Sequence, residues 1–281
     1  MRSLAGRKLR VAVWVILLSC CLSTHATLVA IAPSRDGLVI AADSRLTFLG
    51  AQCDGAFKIL VPARPLRTVA VVTGASAFVE PFAEGRKDLC RHLMTAPRVL
   101  DMNAVVVDAL AKTGDDASRI SMADLSATCI EALEKLRATY PAALNAFEGR
   151  EIFSVVVASF DPARMVSTVR RFVVRMDAAT RRFEAVQAGD LNFDRTSARD
   201  VWVFGETDWV RRKVYSGAGR RYLKASTLEY LQNHKPVGEV SMERAKDAAA
   251  NIVAAASREA TIDPPASGIG GEIRVMVIGK E

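Results

Sequence analysis

The sequence predicts an α+β protein of one domain, with two antiparallel sheets packed face to face and helices outside. Three observations carry this. Short β-rich blocks stand near both ends and in the middle of the chain. Blocks with apolar residues at helical spacing lie between them. The two kinds are segregated, in the order strands, helices, strands, helices, strand, rather than alternating as in a parallel sheet. A chain of 281 residues, 50% of them apolar, can bury such a core without a disulfide or metal.

The first element is a leader. MRSLAGRKLR is a basic n-region, Val11 to Leu22 is an apolar run, and Ser23-Thr24-His25-Ala26 is a short polar segment ending in a small residue. That is the grammar of a secretory signal peptide over 1–26, leaving 27–281 as the single domain. The run is too short for a membrane span, which takes about 20 apolar residues. The expectation is export, to the periplasm or beyond. A second reading stays open: Leu17-Leu18-Ser19-Cys20 resembles a bacterial lipobox, with lipidation at Cys20 tethering the protein.

From Thr27 the chain reads TLVAIA, a turn at Pro33-Ser34-Arg35-Asp36-Gly37, then LVIAAD, which predicts a hairpin. Phe57–Val61 and Thr68–Val72 read as two further strands. Ser76–Met94 spaces Phe78, Phe82, Leu89 and Leu93 as a helix does. Ser121–Ala138 is a cleaner helix, with Ser121 as N-cap and Met122, Leu125, Cys129, Leu133 and Leu136 on one stripe. FSVVVASF, VSTVRRFVVRM, FEAVQAG and DVWVFGE predict strands. Ser241–Arg258 is an alanine-rich helix with Ala245, Ala249, Ile252 and Ala256 inward, and EIRVMVI closes the chain as a strand.

Composition narrows the chemistry. The net charge of +7 falls to +3 without residues 1–26, because Arg2, Arg7, Lys8 and Arg10 sit there with no acid. The basic excess therefore gives no case for a nucleic-acid partner. Beyond the leader only Cys53, Cys90 and Cys129 remain, with no CxxC and no Cys/His pair at zinc spacing, so neither metal nor other cofactor is expected. Cys129 lies on a helical stripe as a small hydrophobe, and a Cys53–Cys90 disulfide is open.

TLVAIAPSRDGLVIAADSR resembles the opening of proteasome β subunits, which are N-terminal-nucleophile hydrolases. Thr27 opens the block, Gly37 makes the turn, and Ala42-Asp43-Ser44-Arg45 closes it. Lys58 in AFKIL, Gly74 in AVVTGAS and the Gly270-Gly271 pair before the last strand continue the resemblance. It implies a four-layer αββα sandwich and a catalytic set of Thr27, Asp43, Lys58 and Gly74, with Arg45 bracing. It implies a peptide or small amide substrate and a homo-oligomeric ring. Asp263 and Ser267 fall where the family supports its amine, and either hold Thr27 or are loop residues. The chain departs from the family in carrying Ala26 before the threonine and Glu206 after Gly205.

The chemistry stands on its own terms. A threonine hydroxyl is a poor nucleophile without a base. An α-amine, with a pKa of about 7.7–8, can take its proton at neutral pH, but only once the bond before it is cut. Lys58 near Thr27 would lower the pKa of amine and hydroxyl, Asp43 would keep Lys58 oriented, and the Gly74 N–H would face an oxyanion. The rival reading is a non-catalytic exported or lipid-anchored binding module, whose chain stays intact ahead of Thr27.

Overall fold

The block after Thr27 forms β1 (Leu28–Ser34) and returns through Arg35-Asp36 as β2 (Gly37–Asp43), in register from Val29 opposite Ala42 to Ser34 opposite Gly37. The computed structural model describes residues 27–48, 51–62, 67–79, 89–112, 120–233, 235–262 and 268–280. The leader, with Cys20, and the two supporting candidates Asp263 and Ser267 lie outside the described residues.

Two antiparallel sheets dominate. The first takes β13 (Trp202–Gly205) beside β1 and β14 (Ile273–Gly279) beside β2, in the order β13-β1-β2-β14. The second runs β11 (Phe183–Gln187), β10 (Val166–Met176), β9 (Glu151–Asp161), β6 (Thr68–Gly74) and β5 (Ile59–Leu60), with β12 (Leu191–Phe193) also on β10. Two small ribbons join β3 (Leu46–Phe48) to β4 (Ala51–Cys53) and β7 (Ala77–Val79) to β8 (Arg98–Asp101).

The period of two in a strand sorts side chains to opposite faces. In β1, Leu28, Ala30 and Ala32 pack with Ala245, Ala249 and Ile252 of the helix Met242–Ile262, while Val29 and Ile31 join a cluster with Val69, Val71, Val156 and Ala158 of the second sheet. The alternate residues Val72, Val155 and Val157 face Val106 of the helix Met102–Ala111 and Leu125, Cys129 and Leu133 of the helix Met122–Thr139. Every residue of β1 and β2 is buried, as a strand covered on both faces requires. The result is a mixed α/β chain of antiparallel sheets and helices.

Ser121 caps its helix as expected, its Oγ accepting the Asp124 N–H at 3.1 Å. Two expectations fail. Among the described residues of 76–94, Ala77–Val79 is a strand, because Ala77 and Phe78 pair with Asp101 and Leu100, and Leu89–Thr95 is helical. The helix Met102–Ala111 was not among the expected elements. Asp101 decides it, its carboxylate accepting the N–H groups of Asn103 and Ala104.

A buried arginine fastens the segment before β13. Arg199 is 1% exposed and donates to the carbonyls of Tyr230 (3.1 Å) and Glu229 (3.1 Å), late in the helix Ala225–Gln232. A cation there suits the negative end of a helix. Tyr230 then donates its hydroxyl to the Pro33 carbonyl of β1 at 3.0 Å. Tyr230→Phe leaves that buried carbonyl without this donor and should lower unfolding stability by about 1–3 kcal/mol in urea denaturation, with the fold retained.

Candidate active site

Asp43, the last residue of β2, gathers four donors. Its Oδ1 accepts the Leu28 N–H at 2.8 Å and the Lys58 Nζ at 2.8 Å; its Oδ2 accepts the N–H groups of Gly270 at 3.1 Å and Arg45 at 3.3 Å. One carboxylate thus ties the start of β1, the lysine before β5, and the glycines ahead of β14. Lys58 also donates to the Arg45 carbonyl at 2.6 Å. Both side chains are out of water, Asp43 at 0% and Lys58 at 4% exposure. Burial pushes the Lys58 ammonium below its usual pKa, and Asp43 works against that shift.

Thr27 precedes the Leu28 amide that Asp43 holds, and it is 5% exposed. Its carbonyl accepts the Glu206 N–H at 3.3 Å. Leu28 lies opposite Gly205, where the chain has φ +89° and a Cβ would stand 1.7 Å from the Thr27 oxygen. Only glycine fits against Thr27 there. Lys58 therefore reaches the beginning of β1 through Asp43. Among the described residues the Thr27 hydroxyl has no hydrogen-bond partner.

Gly74 is placed differently from its expected neighbours. It ends β6 opposite Phe153 with φ +90°, and a Cβ would meet the Ile152 carbonyl at 2.7 Å. Close approach of β9 explains its glycine. Among the described residues no hydrogen bond joins it to Thr27, Asp43 or Lys58.

Arg45 braces from outside. Its guanidinium forks onto Asp54, Nε to Oδ1 at 2.7 Å and the second nitrogen to Oδ2 at 3.2 Å, and also reaches the Gln52 side chain at 2.9 Å. The pair holds the Asp54 carboxyl below its usual range and raises the arginine. Ser44 accepts the N–H groups of Glu272 (2.8 Å) and Gly55 (3.3 Å), so the turn after Asp43 is pinned from both sides.

Asp54 and Gln52 were not singled out in the sequence, and the clamp behind them was left open there. Cys53 and Cys90 form a disulfide, with Cα atoms 5.2 Å apart, which anchors β4 to the helix Leu89–Thr95. The odd cysteine count had left this open, and 37 residues of separation gave no signal. Cys129 is free and buried, its thiol pushed up to about 12 by desolvation.

Glu206 is the remaining ionisable group beside Thr27. Its carboxyl has no partner among the described residues, and burial raises its pKa above the ordinary 4.5. Among the described residues no cluster of His, Cys, Asp and Glu could hold a metal ion. The chemistry on offer is a hydroxyl, a buried cation, and carboxylates that organise them.

Two measurements follow. Lys58→Met would leave Asp43 charged and buried without its cation, and should cost about 3–5 kcal/mol in chemical denaturation. A loss under about 1 kcal/mol would show the pair to be solvated. Glu206 binds its proton more tightly folded than unfolded. Its contribution is therefore full below the ordinary value and lost as pH rises through the raised one. Glu206→Gln should match wild type at pH about 3 and become progressively the more stable protein above pH 4.5. A flat difference in thermal unfolding across that range would refute the shift.

No family model and no curated protein matches the chain. Solved structures that align with it include Anbu proteins. Anbu (ancestral beta-subunit) from Yersinia bercovieri aligns at 12% identity over 90% of this chain and 81% of that one, TM-score 0.43. Anbu from Hyphomicrobium sp. strain MC1 aligns at 12% identity over 90% and 82%, TM-score 0.41, and its Gly-1 mutant at 13% over 90% and 82%, TM-score 0.43. These findings correct the identification of the chain as an exported variant of proteasome β subunits. No such family model matches it, and the structural likeness, to Anbu proteins instead, is too loose to transfer chemistry. The functional reading therefore rests on the chain's own residues.

Proposed function

We propose that this chain is an N-terminal threonine hydrolase of peptide or other amide bonds. The observation that carries the reading is the single carboxylate of Asp43, which holds both the amide next to Thr27 and the buried ammonium of Lys58. A buried ion pair is costly to assemble, and its placement at the start of β1, next to a hydroxyl with no hydrogen-bond partner among the described residues, is what a nucleophile site needs.

In this reading the bond between Ala26 and Thr27 is cut and the Thr27 nitrogen becomes an amine. That amine takes the proton of the Thr27 hydroxyl, directly or through one water, as the oxygen attacks the amide carbonyl. The positive charge of Lys58 favours the oxyanionic form, and Asp43 fixes where that charge sits. The tetrahedral adduct expels the leaving amine, which receives the proton, and an acyl ester on Thr27 remains. Water, deprotonated by the same amine, releases the acid and restores the hydroxyl. Strands on both sides of Thr27 make it part of a rigid element, which suits a positioned nucleophile.

Export agrees with this scheme, since signal-peptide removal would make the amine. The Cys53–Cys90 disulfide is of the kind that persists in oxidising compartments. The non-catalytic reading draws on one observation of its own: Thr27 is 5% exposed, which leaves its hydroxyl little room for substrate.

Mass-spectrometric reading of the purified exported protein should find Thr27 at the N-terminus. Against a peptide panel, Thr27→Ala should lose at least about a thousandfold in kcat/KM. A chain retained ahead of Thr27, or a Thr27→Ala variant as active as wild type, would remove the proposal and favour the binding module.

A further inference from the structure

A second cleft, of about 610 Å³, opens on the outer side of β13, and Thr27, Asp43 and Lys58 take no part in its walls. Its size falls in the usual range for small-molecule sites, about 300–1,000 Å³. β13 is the outermost strand of its sheet, and Val203 of that strand and Val201 just before it stand on one wall. Val210, Leu223, Leu228 and Leu231 supply an apolar floor.

The polar groups in this cleft are unevenly provided for. The Tyr215 hydroxyl is buried and, among the described residues, has no hydrogen-bond partner. Burial keeps it protonated, so it remains a donor. An orphan buried donor costs about 1–3 kcal/mol, which invites a ligand acceptor. The Arg211 guanidinium, also on the wall, makes no side-chain hydrogen bond or ion pair among the described residues. Arg220 stands on the same wall, with one nitrogen on the Tyr215 carbonyl at 2.9 Å. Against these cations is one acid, Asp200, whose Oδ1 already accepts the Val201 N–H at 2.7 Å. The balance favours a single negative charge.

We propose that this cleft binds a small apolar carboxylate, with its hydrocarbon part along Val210, Leu223, Leu228 and Leu231 and its carboxylate between Arg211 and the Tyr215 hydroxyl. A carboxylate matches the guanidinium fork and can accept the phenolic hydrogen with its second lone pair. A cationic amphiphile would face Arg211 and Arg220, and a neutral alcohol would leave Arg211 unmatched. The same chemistry is shared by a free medium-chain acid and by the C-terminal residue of an apolar peptide.

Isothermal titration on the full chain tests this with decanoate, the tripeptide Ala-Leu-Leu, decanol and decylamine. At least one of the two acids should bind saturably below millimolar concentration, and the one that does names the source. Decanol and decylamine should bind at least about tenfold more weakly. Arg211→Gln should weaken the acid by at least about tenfold, and Tyr215→Phe by about threefold to tenfold. Arg212→Gln, a neighbouring guanidinium outside the cleft, should change nothing. Tyr215→Phe removes a hydroxyl that has no partner, so it should melt no lower than wild type, which separates lost binding from lost folding. The site is overturned if neither acid saturates, if decanol binds as tightly, or if both cleft substitutions leave affinity intact. None of these outcomes depends on hydrolysis at Thr27.

Discussion

An ammonium and a carboxylate that leave water together are tolerated only when every remaining lone pair and hydrogen is spoken for. Asp43 and Lys58 are held in this way, with a donor at each of the four carboxylate lone-pair sites and two acceptors on the ammonium. Asp43 takes three backbone N–H groups besides the lysine, and Lys58 adds the Arg45 carbonyl. The three amides come from the start of β1, the turn after β2 and the approach to β14. The pair is thus a junction on which the ends of three neighbouring strands are fixed. Little about the region around Thr27 could move without exposing one of these groups.

The layers around this junction exist to keep it dry. β1 and β2 are buried throughout because they have apolar partners on both faces, the alanine-rich helix Met242–Ile262 on one and the larger sheet on the other. Alanines at 245, 248, 249 and 256 let that helix lie close, which excludes water without bulky side chains. Outside the junction the chemistry changes character. Arg45 and Asp54 pair where water reaches them, so their contribution is steering and bracing rather than large stability. The Cys53–Cys90 disulfide lies just behind Asp54 and limits how far that brace can swing.

Glycine performs two unlike tasks here. Gly205 is required because its chain passes against the Thr27 carbonyl, next to the proposed nucleophile. Gly74 is required because β6 ends hard against the Ile152 carbonyl, which is a packing demand and no statement about chemistry. Both look alike in sequence, each a glycine at the end of an apolar strand. Their difference lies entirely in what crosses them.

The sequence determined the elements whose signal is local. Short β-rich runs placed β1, β2, β9, β10 and β14 to within about two residues, and Ser121 announced its helix by a capping side chain three residues from the amide it binds. It also singled out Thr27, Asp43, Lys58, Arg45 and Gly74 as one set, of which Asp43 and Lys58 meet directly, Arg45 contributes its backbone, and Gly74 ends β6 opposite Phe153. The tertiary structure decided what depends on distant chain. It put a strand at the start of the expected helix over 76–94, because Ala77 and Asp101 are distant in sequence but paired in space. It joined Cys53 to Cys90, and it set Glu206 beside Thr27, 179 residues earlier. Periodicity and capping are written in neighbouring residues; pairing across a sheet is settled by which faces can be buried together, and no window along the chain contains that choice.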